Sequence, residues 1–243
     1  LQSIAVEGSR GAVEAARPAV NVAALVGHTA LRQNHMDRLD RAASAAEIAA
    51  MRVQLQESLE AGALGLSTGL AYASAFNAET DEVLQLVEEL TAYGAVYTTH
   101  LRSEFEPVLE AMDEAFLIGR HARVPVIISH LKCAGAGNWG RSPQLLAALQ
   151  AAAENHPVGC DCYPYAASSS TLDLKQVTDA FRITITWSTP HPDMGGRDLQ
   201  DIAAEWGVSL MDAARRLQPA GAVYYGMDEA DVRRILAHPL SMV

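Results

Sequence analysis

The chain reads as a parallel α/β fold, and three observations carry that reading. Two look-alike segments, Ala95-Val-Tyr-Thr-Thr-His-Leu-Arg102 and Pro125-Val-Ile-Ile-Ser-His-Leu-Lys132, are each an apolar, β-branched run closed by a histidine and then a cation. His100 and His130 lie 30 residues apart with an amphipathic helical pattern between them, and one strand, one helix and two loops make the repeating unit of such folds. Strand-end landmarks near 28, 68, 100, 130 and 163 leave successive gaps of 40, 32, 30 and 33 residues, the period of five consecutive strand-helix units. On neighbouring parallel strands both imidazoles reach the carboxyl ends, the face where barrels and open α/β sheets place their chemistry. Either histidine alone reads as a satisfied strand-end residue. The repeat of Ser/Thr-His-Leu-Arg/Lys points instead to a shared metal site, because packing does not require the polar residue twice.

Taken in order, residues 1–18 read as the alanine-rich tail of a helix closing near Arg17-Pro18. Residues 19–28 are a near-continuous apolar run, the pattern of a strand buried on both faces, ending in Gly27-His28-Thr29. Ser44 and Glu47 are spaced as a capping box, and the helix they open carries Ile48, Met51, Leu55 and Leu59 on one face before stopping at Gly62. A strand over 63–70 follows, with Gly65 and Gly69 marking close backbone approach and Tyr72 in its loop. A helix over 79–93, with Val83, Leu86, Val87 and Leu90 inward and Gly94 as its stop, delivers the His100 strand. Another over 107–121, with Pro107 in the first turn, delivers the His130 strand. The glycine-rich stretch 133–140 is a loop. Ser142-Pro143 reads as cap and first turn of a helix to about 155, and 158–165 as a strand closed by Pro164.

Beyond 165 the rhythm loosens. Residues 182–187 alternate as a half-buried strand, 190–197 form a turn-rich connector suited to a lid, and short helices are predicted over 198–206, 209–217 and 229–237. A final strand begins at 240. The chain opens at Leu1 without methionine and closes at Val243 inside an apolar run, which reads as part of a longer protein.

The totals bound what such a fold does. With 243 residues and 49% hydrophobic content, the chain buries a sizeable core. A net charge of −11 opposes nucleic acid and anionic membrane surfaces as partners, so an anionic substrate requires local cations. No apolar run nears the roughly 18 residues of a membrane helix. The three cysteines, Cys133, Cys160 and Cys162, form no disulfide framework and read as reduced, buried thiols of a cytoplasmic protein.

Two histidines do not complete a zinc site, which takes about three protein ligands. The segments Gly27-His-Thr29, Gly62-Ala-Leu-Gly-Leu-Ser-Thr-Gly-Leu-Ala-Tyr72, Thr99-His-Leu-Arg102, Ser129-His-Leu-Lys132, Asp161-Cys-Tyr-Pro-Tyr165 and Ile185-Thr-Trp-Ser188 together resemble the N-acyl-D-amino-acid deacylases (D-aminoacylases) of the amidohydrolase superfamily. The resemblance implies a (β/α)8 TIM-type barrel of which this chain holds about strands three to eight. On that reading 1–243 is part of a single catalytic barrel, with a small helical insertion near 190–225 and the terminal parts of the parent protein absent. His100 and His130 match the family's zinc-binding histidines of strands five and six. Tyr72 matches its active-site tyrosine, a donor to the scissile carbonyl, and Lys132 and Tyr163 match residues that hold the substrate's α-carboxylate. The first-strand His-x-His pair, a cysteine ligand and the catalytic aspartate fall outside the chain. A further cation is expected beyond Tyr-Pro-Tyr, where Lys175 is the nearest and a poor match.

The implied reaction is zinc-assisted hydrolysis of a linear N-acyl-D-amino acid to a D-amino acid and a carboxylate. Of the remaining polar residues, His28, Arg102 and Glu104 read as supporting groups around the histidines, and the role of Asp161 stays open. His35, His121, His156, His191 and His238 read as solvated or capping residues. Two rivals stand beside this: a cyclic-amide, dihydroorotase-type hydrolase, which needs a bridging lysine not evident here, and a non-catalytic barrel fragment lacking the full metal site.

Overall fold

The computed structural model of the chain describes residues 6–243. Its elements begin with α1 (Val6–Ala16), β1 (Val26–Gly27), α2 (His28–His35), α3 (Ala45–Glu60), β2 (Gly65–Gly69) and α4 (Thr80–Val87). They continue with β3 (Val96–His100), α5 (Val108–Ala122), β4 (Val126–Ile128), α6 (Ser142–Ala153), β5 (Val158–Asp161) and β6 (Ser168–Thr171). The last are β7 (Ile183–Ser188), α7 (Leu199–Trp206), α8 (Leu210–Leu217), β8 (Ala220–Tyr224), α9 (Glu229–Leu236) and β9 (Ser241–Met242). The helix predicted over 1–18 is α1, and the first five positions of that prediction lie outside the described residues. The chain divides into two compact units, one of residues up to Leu131 with Pro143–Cys162 and Ala237–Val243, the other of Lys132–Ser142 and Tyr163–Leu236.

The first unit is built on a six-stranded sheet in the order β1-β2-β3-β4-β5-β9, every neighbouring pair parallel. The crossovers that parallel pairing demands are supplied by helices whose apolar faces are those read from the sequence. Ile48, Met51, Leu55 and Leu59 are the buried residues of α3, and Val83, Leu86 and Val87 are buried on α4. Ser44 and Glu47 form the capping box at the start of α3, each satisfying a free amide of the other. Gly65 is required by its neighbour: a Cβ there would stand 1.9 Å from the Val96 carbonyl oxygen. Beyond α4 the helical path tightens into a 3-10 segment, Glu88–Tyr93, and ends at Gly94 in the left-handed region at φ 59°.

The strand read over 19–28 is shorter than expected. Only Val26 and Gly27 join the sheet, while Val20, Val22 and Leu25 are 71%, 54% and 39% exposed. As the edge strand, β1 pairs on one side alone, so the two-sided cover that would make this apolar run a buried strand is missing. His28 accordingly opens α2 instead of lying in a strand-end loop.

The second unit has its own antiparallel sheet, β6-β8-β7. Its core gathers Ile183 and Ile185 of β7, Leu199 and Ile202 of α7, Ala213, Ala214 and Leu217 of α8, and Ala222 and Tyr224 of β8. The residues expected to form a helical insertion, 190–225, thus hold α7 and α8 together with β8. The 190–197 connector is tied to β7 through Gly196 N to Ile185 O (2.7 Å) and Ile185 N to Arg197 O (2.8 Å), with Met194 buried. Met194 joins the core of the second unit. The loop after Lys132 is fastened by Gly135 N and Trp139 Nε1, both donating to Gly226 O, and by buried Asp231, which accepts from Gly140 N and the Ser142 hydroxyl. Ser142, read as a helix cap, gives its hydroxyl to that carboxylate instead.

Candidate metal centre

β3 and β4 are adjacent and parallel, in register Thr99 to Ile128, and each delivers its histidine just past the paired residues. The two rings converge. His100 Nδ1 lies 3.0 Å from His130 Nε2, with ring centroids 4.6 Å apart and an interplanar angle of 70°. Glu104, four residues beyond His100, places Oε1 2.8 Å from His130 Nδ1 and 3.9 Å from His100 Nδ1. All three side chains are partly buried, 18%, 29% and 12% exposed for His100, His130 and Glu104.

The arrangement sorts the three groups by role. A carboxylate accepts, so Nδ1 of His130 is assigned the proton and Nε2 the lone pair, and that lone pair faces the other imidazole. Nitrogen ligands at about 2.0–2.1 Å on a tetrahedral ion stand roughly 3.3 Å apart, so this pair fits one cation between its nitrogens after a small separation. A carboxylate on the far nitrogen of a ligating histidine fixes the tautomer and aims the ring, which is the place Glu104 holds. One ligand atom from each of His100, Glu104 and His130 lies within 4.8 Å of the others, and this is the one such His, Cys, Asp or Glu group among the described residues. The donors present fit part of a zinc site.

Tyr72 reaches the pair through a glycine. Gly69 stands opposite His100 in the β2-β3 register, and a Cβ on it would meet the Tyr72 ring at 2.7 Å. The absence of that carbon lets the phenol fold back over the strand end, with its centroid 4.8 Å from that of His100. Burial, and then the Glu104 carboxylate, push the Tyr72 phenol above its ordinary pKa, so it keeps its proton and remains a donor. Beside the site, Thr68 Oγ1 donates to Thr99 Oγ1 (2.8 Å), which donates to the His100 carbonyl (3.0 Å), bracing β2 against β3.

Lys132 and Tyr163 belong to the second unit, with Lys132 Nζ 5.5 Å from the centroid of the Tyr163 ring and Lys132 itself buried. Lys175 sits in a single 3-10 turn, Leu174–Gln176, in the same unit.

Several supporting residues do other work than expected. Arg102 makes a two-point contact with Glu114 of α5 (2.9 and 2.7 Å) and donates to the carbonyls of Phe76 and Ala78. It pins the loops after β2 and β3 and does not orient a histidine. Burial works to raise the Glu114 pKa, but hydrogen bonds from Arg102 and Thr80 prevail and hold it below its ordinary value. His28 is fully buried and bonds through Nε2 to Glu82 (2.8 Å), whose two oxygens also take Arg32 at 2.6 Å each. Its role is a buried ion network of the scaffold. His156 is buried against the Val124 carbonyl at 2.7 Å, not solvated, whereas His35 meets Gln54, His121 meets Glu88 and His191 packs on Trp206. The three cysteines are free and buried, and burial pushes the Cys133 thiol up to about 12 and that of Cys160 to about 11, so both stay protonated and inert.

Sequence reasoning left Asp161 open, and the structure gives it a place. Its carboxylate accepts from the His130 backbone N–H at 2.6 Å. No local pattern signals this, because the two residues meet only through the pairing of β4 with β5.

The amidohydrolase family profile matches residues 5–243. The chain is 46% identical over 232 residues to the D-aminoacylase of Alcaligenes xylosoxydans xylosoxydans, covering 96% of this chain and 48% of that protein. It is 48% identical over 226 residues to the N-acyl-D-aspartate deacylase of the same organism, covering 93% and 45%. The structure of N-acyl-D-glutamate deacylase from Bordetella bronchiseptica, complexed with zinc and a phosphonate that mimics the tetrahedral intermediate, superposes with a TM-score of 0.94 at 45% identity, over 98% of this chain and 50% of that one. The chain therefore spans about half the length of the relatives it matches. The resemblance to N-acyl-D-amino-acid deacylases is borne out, and so is the fold: the parallel sheet and its helices match part of the amidohydrolase barrel. No helix among the described residues is long and apolar enough to cross a membrane.

Proposed function

The chain belongs to the amidohydrolase family, and from that premise we propose that it is part of a zinc-dependent hydrolase of N-acyl-D-amino acids, releasing a D-amino acid and a carboxylate. The observation that carries this reading is the convergence of His100 Nδ1 and His130 Nε2 at 3.0 Å on adjacent parallel strand ends. We assign those two nitrogens to zinc. His100 and His130 would hold the ion, which would supply a Lewis acid for the amide carbonyl and a water activated near neutral pH.

The protein groups divide the remaining work. Glu104 holds the His130 tautomer that presents Nε2. Tyr72, protonated and with its ring tilted against that of His100, donates a hydrogen bond to the carbonyl oxygen as negative charge develops on it. To Lys132 and Tyr163 of the second unit we assign the substrate's α-carboxylate, an ammonium and a phenol suited to an anion that the acidic chain otherwise repels. The remaining metal ligands and the proton shuttle to the leaving amine are assigned to parts of the barrel beyond this chain, which we take as a piece of one catalytic barrel in a cytoplasmic enzyme acting on small molecules.

The test is an assay of the full-length, zinc-loaded protein against N-acetyl-D-glutamate, N-acetyl-D-aspartate, N-acetyl-D-leucine, their L-enantiomers and a ring amide such as dihydroorotate. Release of D-amino acids that stops on chelation is expected. Turnover confined to the L-series or the ring amide overturns the substrate assignment.

A further inference from the structure

His130 has a backbone that most histidines avoid. Its φ is +44°, in the left-handed region, where a side chain crowds its own carbonyl. The other two non-glycine residues with positive φ among the described residues, Arg17 and Arg123, directly follow the helices α1 and α5, where that conformation ends a helix as a matter of course. His130 follows a strand. Something other than a helix cap must hold it there, since strain of this kind persists only when the surroundings over-determine it.

Asp161, the last of β5, accepts the His130 N–H with its carboxylate at 2.6 Å and the Leu131 N–H with its main-chain carbonyl at 2.8 Å. Two consecutive amides of the turn are thus pinned from the neighbouring strand. The side-chain bond is the one that fixes His130 itself, and the direction of its Cα–Cβ bond follows from that φ. From the same position the ring reaches His100 Nδ1 with Nε2 and Glu104 with Nδ1.

We infer that Asp161 is a positioning residue for His130, clamping its left-handed backbone so that Nε2 meets the metal. The inference rests on the proposed assignment of His130 to zinc. Glu104 sets the ring's tautomer and Asp161 its origin. Without the carboxylate, His130 relaxes toward negative φ and its ring swings away from His100. The acceptor atom matters here, and the charge does not: an amide oxygen in the same place serves as well.

The experiment uses the full-length protein, reading affinity with zinc by chelator competition and geometry by the visible absorption of the cobalt-substituted form. Asp161→Leu, of similar size without an acceptor, is expected to lose about 10–100-fold in zinc affinity, as removing a group that orients a metal ligand does, and to change the cobalt band. Asp161→Asn, which keeps the oxygen, is expected to stay within about threefold of the parent with the parent's band. A leucine variant equal to the parent, or an asparagine variant as weak as the leucine one, overturns the inference. Should Asp161→Leu not fold, the asparagine variant decides: retained affinity supports the clamp and lost affinity refutes it. A parent that takes up no zinc at His100 and His130 defeats the proposed function itself, whereas a zinc-binding parent with an unaffected Asp161→Leu defeats this inference alone.

Discussion

Two of the histidine-glutamate pairs in the first unit, His28 with Glu82 and His130 with Glu104, differ in everything except residue type. His28 and Glu82 are 0% and 2% exposed, and both Glu82 oxygens are engaged by Arg32. His130 and Glu104 are 29% and 12% exposed, and the second ring nitrogen of His130 faces another imidazole. The first pair spends its hydrogen bonds on joining α2 to α4. In the second, the carboxylate leaves the ring one lone pair aimed at a neighbour of like kind. A histidine beside a carboxylate is therefore no sign of a site by itself; what lies at the other nitrogen decides.

That contrast breaks most visibly at Glu82. Glu82→Ala leaves Arg32 buried without its partner, and the expected loss is about 3–5 kcal/mol of stability, measured by denaturant unfolding, with zinc uptake per folded molecule unchanged. A loss under about 1 kcal/mol, the range of a surface pair, would erase the distinction drawn between the two pairs. At the other pair the effects reverse. His130→Ala is expected to reduce zinc affinity by more than the roughly 100-fold that losing an orienting group costs, with unfolding changed by about 1 kcal/mol or less, as for a partly exposed residue. Glu104→Gln is a smaller step, about 10-fold in zinc affinity. If it instead matches His130→Ala, Glu104 is itself a ligand and the division of roles made here fails.

The pH dependence sharpens the same comparison. Burial alone would raise the Glu82 pKa, but its bonds to His28 and Arg32 bring it below the ordinary value. A carboxylate whose folded pKa is depressed contributes stability that is fully present above its unfolded pKa, about 4.3, and is lost as pH falls through the folded value. Glu82→Gln should therefore flatten the decline of melting temperature between about pH 5 and pH 3. An unaltered slope would show that the network does not hold the carboxylate ionised.

Much of this was legible along the chain because it is local. The helix faces of α3 and α4 follow from periodicity, the capping box from Ser44 and Glu47, the close approach at Gly65 from its place in a strand. The histidine pair was legible because the strand-helix period brings repeats into register. What escaped depends on partners distant in sequence. β6 is Ser-Ser-Ser-Thr, with no apolar alternation, and is a strand only because it pairs with β8, as in Ser168 with Tyr224. Arg102 looked like a companion of His100, but its guanidinium reaches Glu114 and the carbonyls of Phe76 and Ala78. The left-handed turn at His130 and the carboxylate that holds it arise from neighbouring strands, and a histidine codon announces neither.

The convergence of the two imidazoles is tested most directly by an anomalous difference map at the zinc edge from crystals of the full-length protein grown with zinc. The account predicts a peak about 2 Å from both His100 Nδ1 and His130 Nε2, with Glu104 still on His130 Nδ1. A zinc ion held without either ring, or bound by Glu104 in place of one of them, would contradict it.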